Sequence, residues 1–445
     1  MFPVEDFSFV LIFLLAGGLI YFLLRIAGER LTQVTVISFL FLCLFVFSYI
    51  GIAILYFQLD EYRVWMGVDD EGKILRLFIL ECLALVSLLA GVIVARRPGL
   101  ADQHAAPSGH CRPSLGLETL VLFAWLLLSL GWFAAYLAKV DSLAIFVSFL
   151  GNRHEVNLAR SAMGNDFSGA YHWYRVFMLD IGSFVAFAFF SNWLVTRRFR
   201  DGLLFVGAFS YAAFCTVMAA EKAPFMYLVI GMFFCHAMIR HGGALKLGRT
   251  MSLGAVLVSV LVVFYLGFMD IEDVRSAIWS VFSRVFGQIV PAYFYVDYVP
   301  AHRDYYLGAT LPNPRGIFPF EPQRHTVEIM NWVLPEEEKT GVVGSMPTVF
   351  WAEAYVNFGI AGVLIVPFVV GMLLAFLSAI LRRLEPSPAA VAYTVWVVIH
   401  YAMLSSTGFS SYMFDMPLVV LTMALLSVIF LRGRGRLFAA PVWKA

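Results

Sequence analysis

The sequence predicts an all-α, polytopic integral membrane protein with about eleven transmembrane helices. The 445 residues are 61% hydrophobic and only 14% charged, whereas a soluble domain holds about a quarter charged residues. The mean hydropathy is +0.82, and apolar runs of about eighteen residues or more, each long enough to cross a bilayer, recur along the chain. Because backbone polar groups in lipid must be paired within their own segment, we expect these runs to be helices.

The helices can be placed one by one from the apolar runs. The first run follows Glu5 and Asp6 rather than the basic residues that open a cleaved signal peptide, so we expect a retained helix. The predicted helices cover residues 7–24, 34–57, 74–95, 117–138, 173–195, 203–219, 224–240, 251–269, 358–380, 389–408 and 417–431. We expect them to form a single membrane domain over residues 1–445.

The placement of lysine and arginine orients the chain, because short cytoplasmic loops are enriched in both. If the N-terminus lies outside, every short basic loop falls on the cytoplasmic side. That side then carries 17 of the 31 basic residues but only five of the 30 acidic ones. The sequence therefore predicts an external N-terminus and a cytoplasmic C-terminus, which requires an odd number of helices.

Two external segments are long and polar, at residues 139–172 and 270–346. Both contain too many aromatic residues for a disordered linker. In the second segment, Ile278, Val281, Phe282, Val285 and Phe286 recur at helical spacing, which predicts an amphipathic helix at the membrane interface. The five cysteines fall in helices or in a loop expected to be cytoplasmic, and their spacing indicates neither a disulfide framework nor a metal site.

The large external loop contains side chains that suit a sugar. Aromatic rings can cover the apolar face of a sugar while neighbouring polar groups meet its hydroxyls. The candidates for sugar binding are Tyr293, Tyr298, Tyr305, Asp304 and Trp332. The same tyrosines are equally compatible with a membrane-interface belt, and the sequence does not separate the two interpretations.

Cationic side chains on this otherwise acidic side indicate an anionic ligand. Guanidinium groups match phosphate oxygens with paired hydrogen bonds. The candidates for diphosphate binding are Lys222, Arg153, Arg284, Arg324 and Arg303. For each arginine the alternative is an ion pair with a nearby carboxylate, and for Lys222 it is a turn whose lysine reaches the interface beside Glu221.

Ionisable residues inside predicted helices are costly in lipid and therefore call for a functional hypothesis. Glu81 and Asp180 each lie five residues after an arginine, Arg76 and Arg175, so structural pairing or an outward-facing cavity explains both. His400 also fits a satisfied core histidine.

The segment 344–362 is the most distinctive in the sequence. A proline start, a turn that carries Glu353 and Asn357, and Gly-Ile-Ala-Gly before an apolar helix predict a short re-entrant or interfacial helix. Such a helix would aim Glu353 at the outer mouth of the bundle, where partial burial can raise a carboxylate's pKa toward that of a general base. The alternative is a structural carboxylate. His302 and His325 in the external loop are further candidates for the base.

Two blocks make the chain resemble the oligosaccharide repeat-unit polymerases of bacterial envelopes, the O-antigen polymerase-like or Wzy-type proteins. They are RVFGQIVPAYFYVDYVPAHRDYYLGATL at 284–311 and GSMPTVFWAEAYVNFGIAGVLIVPFVVG at 344–371. The predicted topology agrees, with one dominant external loop before the last three helices. Arg153 and Gly164 match an Arg-x10-Gly spacing of that family, but Arg324 and Gly341 miss its Arg-x15-Gly spacing by one residue.

The resemblance implies a bundle of the GT-C-like polymerase and ligase architecture with a large periplasmic loop, in the bacterial inner membrane. It implies a glycosyltransferase that polymerises undecaprenyl-diphosphate-linked repeat units into O-antigen or exopolysaccharide, without cofactor or metal. Glu353, His325 or His302 would then act as the catalytic base. The implied partners are these lipid-linked glycans, membrane lipids, and a chain-length regulator and a flippase of the same pathway, but no nucleic acid.

Three alternatives remain open. Related O-antigen ligases place a histidine just before the Gly-x-x-Gly helix, where this chain has Thr348 and Phe350. A transporter or flippase of lipid-linked oligosaccharide would need polar residues near the bilayer midplane and often inverted repeats, and few such residues and no clear repeat are found. A non-catalytic subunit of an envelope assembly is the third alternative.

Overall fold

The structure, a computed structural model, describes residues 4–96, 111–114, 116–150, 153–164, 167, 169–268, 273–313, 316–336 and 344–431. These residues form helices joined by loops, and no strand occurs within these ranges apart from an isolated bridge between Phe350 and Gly408. The all-helical prediction is confirmed for this part of the chain.

The helices follow the predicted order closely. They are α1 (Val4–Ile26), α2 (Val36–Tyr56), α3 (Glu61–Trp65), α4 (Glu71–Ala95), α5 (Gly116–Leu137), α6 (Ala144–Leu150), α7 (Arg153–Met163), α8 (Tyr171–Thr196), α9 (Phe199–Val217), α10 (Ala223–His241), α11 (Leu247–Phe268), α12 (Val274–Phe286), α13 (Val290–Ala301), α14 (His325–Val333), α15 (Phe350–Arg383), α16 (Pro388–Ala402), α17 (Phe409–Tyr412) and α18 (Met416–Leu431). The expected amphipathic helix is α12, in which Val281 is buried and Ile278 is half exposed.

Eight helices within the described ranges are long and apolar enough to cross a membrane. They are Asp6–Ile26, Val36–Tyr56, Glu71–Ala95, Gly116–Leu137, Tyr171–Thr196, Ala223–His241, Phe350–Arg383 and Pro388–Ser405. Two shorter apolar helices, Gly248–Val263 and Met416–Phe430, accompany them. The chain is therefore a multi-pass helical membrane protein, while eleven spans, their orientation and a GT-C-like architecture stay predictions.

The chain packs as two compact units. The first unit comprises Met1–His104, Phe282–Ser378 and Tyr401–Phe414, and the second comprises Ala105–Val281, Ala379–His400 and Asp415–Ala445. Each unit is assembled from segments that are far apart in the sequence. The single membrane domain over residues 1–445 stays a prediction.

In the first unit, α4 and α15 pack with their backbones in direct contact. A Cβ on Gly91 would collide with the Phe368 carbonyl, and one on Gly371 would collide with the Leu88 carbonyl. The Ser87 hydroxyl also donates a hydrogen bond to the carbonyl of Leu364 on α15. Small residues at such contacts are how membrane helices pack without a hydrophobic driving force between them.

In the second unit, the loop 139–172 folds onto the helices around it. Tyr136, Met163, Phe167 and Tyr174 share one buried cluster. The Tyr136 hydroxyl donates a 2.7 Å hydrogen bond to the Met163 carbonyl and so ties α5 to α7. The described part of this loop is therefore ordered by aromatic packing, as its composition predicts.

Candidate functional site

The Asn-Phe-Gly sequence breaks α15 and provides the anchor of the candidate site. Gly359 adopts φ 61° and ψ −146°, a conformation that is essentially restricted to glycine. The break leaves carbonyls of the preceding turn without helical partners, and the loop after α13 satisfies them. Tyr306 donates its N–H to the Val356 carbonyl at 3.0 Å, and Leu307 donates to the Asn357 carbonyl at 3.1 Å.

The predicted short helix before the apolar helix is thus residues 350–358 of α15, and it joins the apolar part through Gly359. Asn357 reinforces the junction with its side chain. Its Oδ1 accepts the Gly308 N–H at 2.9 Å, and its Nδ2 donates to the hydroxyl of Thr310 at 2.8 Å. The distinctive motif therefore holds the large loop against the bundle of the first unit.

Glu353 lies one turn before Asn357 and is fully buried. Its Oε1 accepts a 2.8 Å hydrogen bond from the Thr310 hydroxyl, and its Oε2 accepts a 3.1 Å bond from the Ser410 N–H. Gly408 packs directly on the carboxylate, where a Cβ would collide with Oε2. Both carboxylate oxygens thus accept hydrogen bonds, and Glu353 links the large loop, α15 and the N-terminal end of α17.

An aromatic patch lies on the neighbouring face of the first unit. We define it as Tyr298, His302 and Trp332. The ring centroids of Tyr298 and Trp332 are 5.2 Å apart, those of His302 and Trp332 are 5.0 Å apart, and Tyr298 stacks on His302 at 5.9 Å. His302 is exposed and Trp332 is partly exposed. The patch therefore presents ring surface to solvent, as a sugar-binding platform does.

A charged group, Glu328, stands beside the aromatic patch. It pairs with Arg303 and accepts hydrogen bonds from the Tyr298 hydroxyl at 2.9 Å and the Tyr306 hydroxyl at 3.0 Å. Burial alone would raise the pKa of Glu328, but the hydrogen bonds from Arg303, Tyr298 and Tyr306 outweigh it and lower the pKa. The carboxylate is therefore held ionised and fixes the orientation of one patch ring.

His325, the first residue of α14, is buried. Its ring makes edge contacts with Tyr295 at 5.7 Å and with Tyr306 at 6.0 Å between centroids. Burial lowers the pKa of His325, and the carboxylates of Glu353 and Glu328 only partly oppose that shift. The lowered pKa favours a neutral imidazole, packed between two tyrosines of the large loop.

The other site residues predicted in the first unit lie outside the Glu353 hydrogen bonds and outside the aromatic patch. Tyr293 contacts Lys73, whose ammonium bonds to Asp297 at 2.9 Å. Tyr305 packs edge-on against Tyr355 at the Gly359 break, 6.2 Å between centroids. Asp304, Arg324 and Arg284 are exposed, on the loop, at the N-terminal end of α14 and on α12 respectively.

Two predicted cations belong to the second unit. Lys222 is the residue before α10, where its carbonyl accepts the Met226 N–H at 3.2 Å. Arg153 is the first residue of α7, but its side chain lies outside the described residues. The structure thus brings together Tyr298, His302, Arg303 and Trp332, whereas Lys222 and Arg153 come from another unit.

The suggested pairing of Glu81 with Arg76 is wrong. Five residues on an α-helix correspond to about 140° of rotation, so the two side chains leave α4 on different faces. Glu81 instead accepts a 2.5 Å hydrogen bond from the Trp351 indole, and Arg76 donates to the Tyr355 hydroxyl.

Arg175 and Asp180 are also five residues apart, but the geometry of α8 differs from that of α4. The turn 176–181 is π-helical, and a π turn brings residues five apart onto the same face. Arg175 accordingly lies within electrostatic range of Asp180.

The polar partners that hold the site together were not predicted from the sequence. Thr310 and Ser410 bind Glu353, and Arg76 binds Tyr355. Hydroxyl and amide partners far away in sequence leave no periodic signal, so only the Asn-Phe-Gly break pointed to this region.

Comparison of the chain with protein-family models, with curated proteins and with solved structures finds no match.

Proposed function

We propose that the chain is a glycosyltransferase that polymerises undecaprenyl-diphosphate-linked oligosaccharide repeat units at the non-cytoplasmic face of a bacterial inner membrane. The observation that carries the proposal is the solvent-facing aromatic patch beside the Arg303–Glu328 pair, on a loop docked to a broken helix. Exposed rings next to fixed charges are how proteins cover the apolar face of a sugar and bind its hydroxyls. The apolar helices supply a surface for the polyprenyl chain.

The phosphate groups need a cation that is not already neutralised. Arg303 is paired with Glu328, so it serves the patch rather than a phosphate. Arg324 is exposed, and no carboxylate of the described residues lies within 4 Å of its guanidinium. It also stands at the N-terminal end of α14, where the helix dipole favours an anion. Arg324 is therefore the best placed diphosphate ligand near the patch.

Among the three candidates for the base, exposure favours His302. The acceptor hydroxyl must reach the base while its oxygen bonds to the anomeric carbon and the bond from that carbon to the diphosphate breaks. Glu353 and His325 are 0% and 7% exposed, and both oxygens of Glu353 already accept hydrogen bonds. His302 is exposed at the patch itself, within reach of a sugar that stacks there.

The test is conversion of a purified lipid-linked repeat unit by the full chain in proteoliposomes, without metal or nucleotide. We expect a ladder of products. We expect His302→Ala to lower its rate about a hundredfold, the usual scale for removing an acid–base group, and Trp332→Ala to lower it by removing a ring on which the sugar stacks. His172→Ala, which alters another exposed histidine at the start of α8 in the expected external region, is the matched control. Single-repeat products alone would refute polymerisation, and full activity of both patch variants would refute this site.

Transport is the second candidate function, and one observation favours it. In the second unit, the Trp396 indole donates to Asp180 at 3.1 Å, Trp396 stacks on His400 at 4.6 Å, and His400 Nε2 lies 3.5 Å from Asp415 Oδ1. Buried ionisable groups in membrane helices often mark a transport pathway. Flipping of a fluorescent lipid-linked oligosaccharide in vesicles separates the functions: loss of flipping in Asp180→Asn with an unchanged ladder would favour transport.

A further inference from the structure

Arg63, between α2 and α4, is held in place from two sides. Its guanidinium packs on the backbone of Gly287, where a Cβ would lie only 2.7 Å from Nη2. Asp60 lies 3.7 Å from Nε and is itself held by the Ser283 hydroxyl at 2.5 Å. The side chain of Arg63 is 14% exposed. The residue is not among the candidates chosen from the sequence.

Asp60 offsets only one positive charge at this place. The 3.7 Å separation is too long for a hydrogen bond, and Nε of Arg63 has no hydrogen-bond partner among the described residues. Arg284, next to Ser283 on α12, adds a second positive charge within electrostatic range. No carboxylate of the described chain lies within 4 Å of Arg284. Arg63 and Arg284 together carry two positive charges against the one negative charge of Asp60, so a net positive charge remains among these three groups.

The surroundings of Arg63 disfavour its charged form. Burial lowers the pKa of Arg63, Asp60 opposes that shift only in part, and repulsion from Arg284 lowers the pKa further. Holding two like charges together without full compensation is unfavourable in the free protein. An anion that bridges both groups would remove the repulsion.

The neighbouring residues indicate where the anion would come from. Tyr62 and Trp65 on α3 are 54% and 80% exposed, and their rings stack with centroids 6.0 Å apart. The Arg63 guanidinium lies over the Tyr62 ring at 5.1 Å. Exposed tyrosine and tryptophan at the end of a membrane helix lie at the level of lipid headgroups. A phosphate at this depth is part of a lipid.

We propose that Arg63 and Arg284 form a binding site for the phosphate of a membrane lipid, with Tyr62 and Trp65 at the lipid–water interface beside it. Planar guanidinium groups bind phosphate oxygens in pairs, and Ser283 with Asp60 positions one of the two. The site goes beyond the proposed polymerase activity and does not require it. The same chemistry suits the diphosphate of a polyprenyl donor and the headgroup of an anionic phospholipid.

The test is a native mass spectrometry titration of the purified full-length protein in detergent. Phosphatidylglycerol, undecaprenyl diphosphate and the phosphate-free alcohol undecaprenol are added separately. We expect phosphate-bearing lipid to bind, and Arg63→Gln and Arg284→Gln each to weaken it about tenfold, as for loss of a charge-assisted hydrogen bond. Arg275→Gln, on the same α12 and equally exposed but beside Asp273, is the matched control and should change nothing.

Each outcome decides the proposal. Loss of undecaprenyl diphosphate binding alone assigns the site to the donor lipid, and loss of phosphatidylglycerol binding alone assigns it to a structural phospholipid. Binding that is equal in Arg275→Gln and in the two test variants, or undecaprenol binding as tightly as its diphosphate, overturns the site. If Arg63→Gln fails to fold, lipid binding by Arg284→Gln, a change at an exposed residue, tests the proposal. Lipid binding without a product ladder would leave this site standing and refute only the polymerase.

Discussion

Among single residues, burial separates the ionisable side chains of the large loop and its anchor into those that hold the loop and those that can meet a ligand. Glu353 and His325 are inside, bonded to the loop and to aromatic rings. His302 and Arg324 are outside. All four are ionisable residue types, so residue type alone does not distinguish a structural side chain from a reactive one.

Glu353→Ala should lower stability before it affects chemistry. The substitution removes the acceptor of the buried Thr310 hydroxyl and of the partly buried Ser410 N–H, and a buried group left unsatisfied costs about 1–3 kcal/mol. We expect a clearly lower midpoint of thermal unfolding, measured by size-exclusion chromatography of heated, detergent-solubilised protein. Asp304→Ala, an exposed carboxylate of the same loop, should leave the midpoint unchanged. An unchanged midpoint together with a lost product ladder would instead support Glu353 as the base.

Glu328 should make stability dependent on pH in the acidic range. Its pKa is lower in the folded chain than in the unfolded chain, so its contribution is complete above the unfolded value of about 4.3 and is lost as the pH falls through the folded value. We expect the unfolding midpoint of the wild-type chain to fall more steeply than the midpoint of Glu328→Gln as the pH drops from about 5 to about 3, through and below the unfolded value. Parallel curves would contradict this role.

His325 adds to the same trend. Its folded pKa lies below the unfolded one, so the unfolded chain takes up a proton first and stability falls as the pH drops below about 6.5. Both the wild-type chain and Glu328→Gln keep His325. The difference between their two pH curves therefore reports Glu328.

Among the helices and loops, the broken helix α15 decides where the large loop lies. The turn before Gly359 offers carbonyls, the loop 306–308 offers N–H groups, and Asn357 adds a side-chain acceptor. A continuous helix would have satisfied those carbonyls internally and left the loop without partners. The break at Gly359 thus leaves backbone carbonyls of α15 available to bind the large loop.

Gly359→Ala should disrupt this junction. The φ of 61° and ψ of −146° are unfavourable for any residue with a Cβ, and that Cβ would lie 3.1 Å from the Tyr305 hydroxyl. We expect a loss of about 1–3 kcal/mol, seen as a lower unfolding midpoint and as faster protease cleavage within 306–311. Gly207→Ala in α9, where a Cβ meets nothing within 4 Å, is the matched control. Equal midpoints for the two variants would show that the break is not strained.

For the molecule as a whole, the distribution of basic residues predicts that the large loop and the aromatic patch face away from the cytoplasm. Loss of the basic residues from the short loops should therefore disturb insertion, whereas loss of single charges in the large loop should not. The prediction concerns the whole chain, because each helix inverts the side of the segment that follows it.

Cysteine labelling in intact cells tests this orientation. The five cysteines are buried or partly buried, and replacing all five gives a background without thiols. We expect Ala301→Cys, an exposed position at the end of α13, to react with a membrane-impermeant maleimide. Arg200→Cys, exposed in α9, should react only after the cells are opened. The reverse pattern would place the patch in the cytoplasm and end the polymerase proposal.

The class of protein and nearly every helix were predictable from the order of residues. Apolar length and the need to pair backbone groups in lipid act locally, so α4 was predicted from residue 74 and begins at Glu71. The partners of the buried polar groups came only from the folded chain. The Trp351 indole rather than Arg76 bonds to Glu81, a π-helical turn aligns Arg175 with Asp180, and Thr310 with Ser410 closes around Glu353. Those contacts join residues far apart in the chain or depend on one turn of helix geometry, and neither leaves a mark in composition or periodicity.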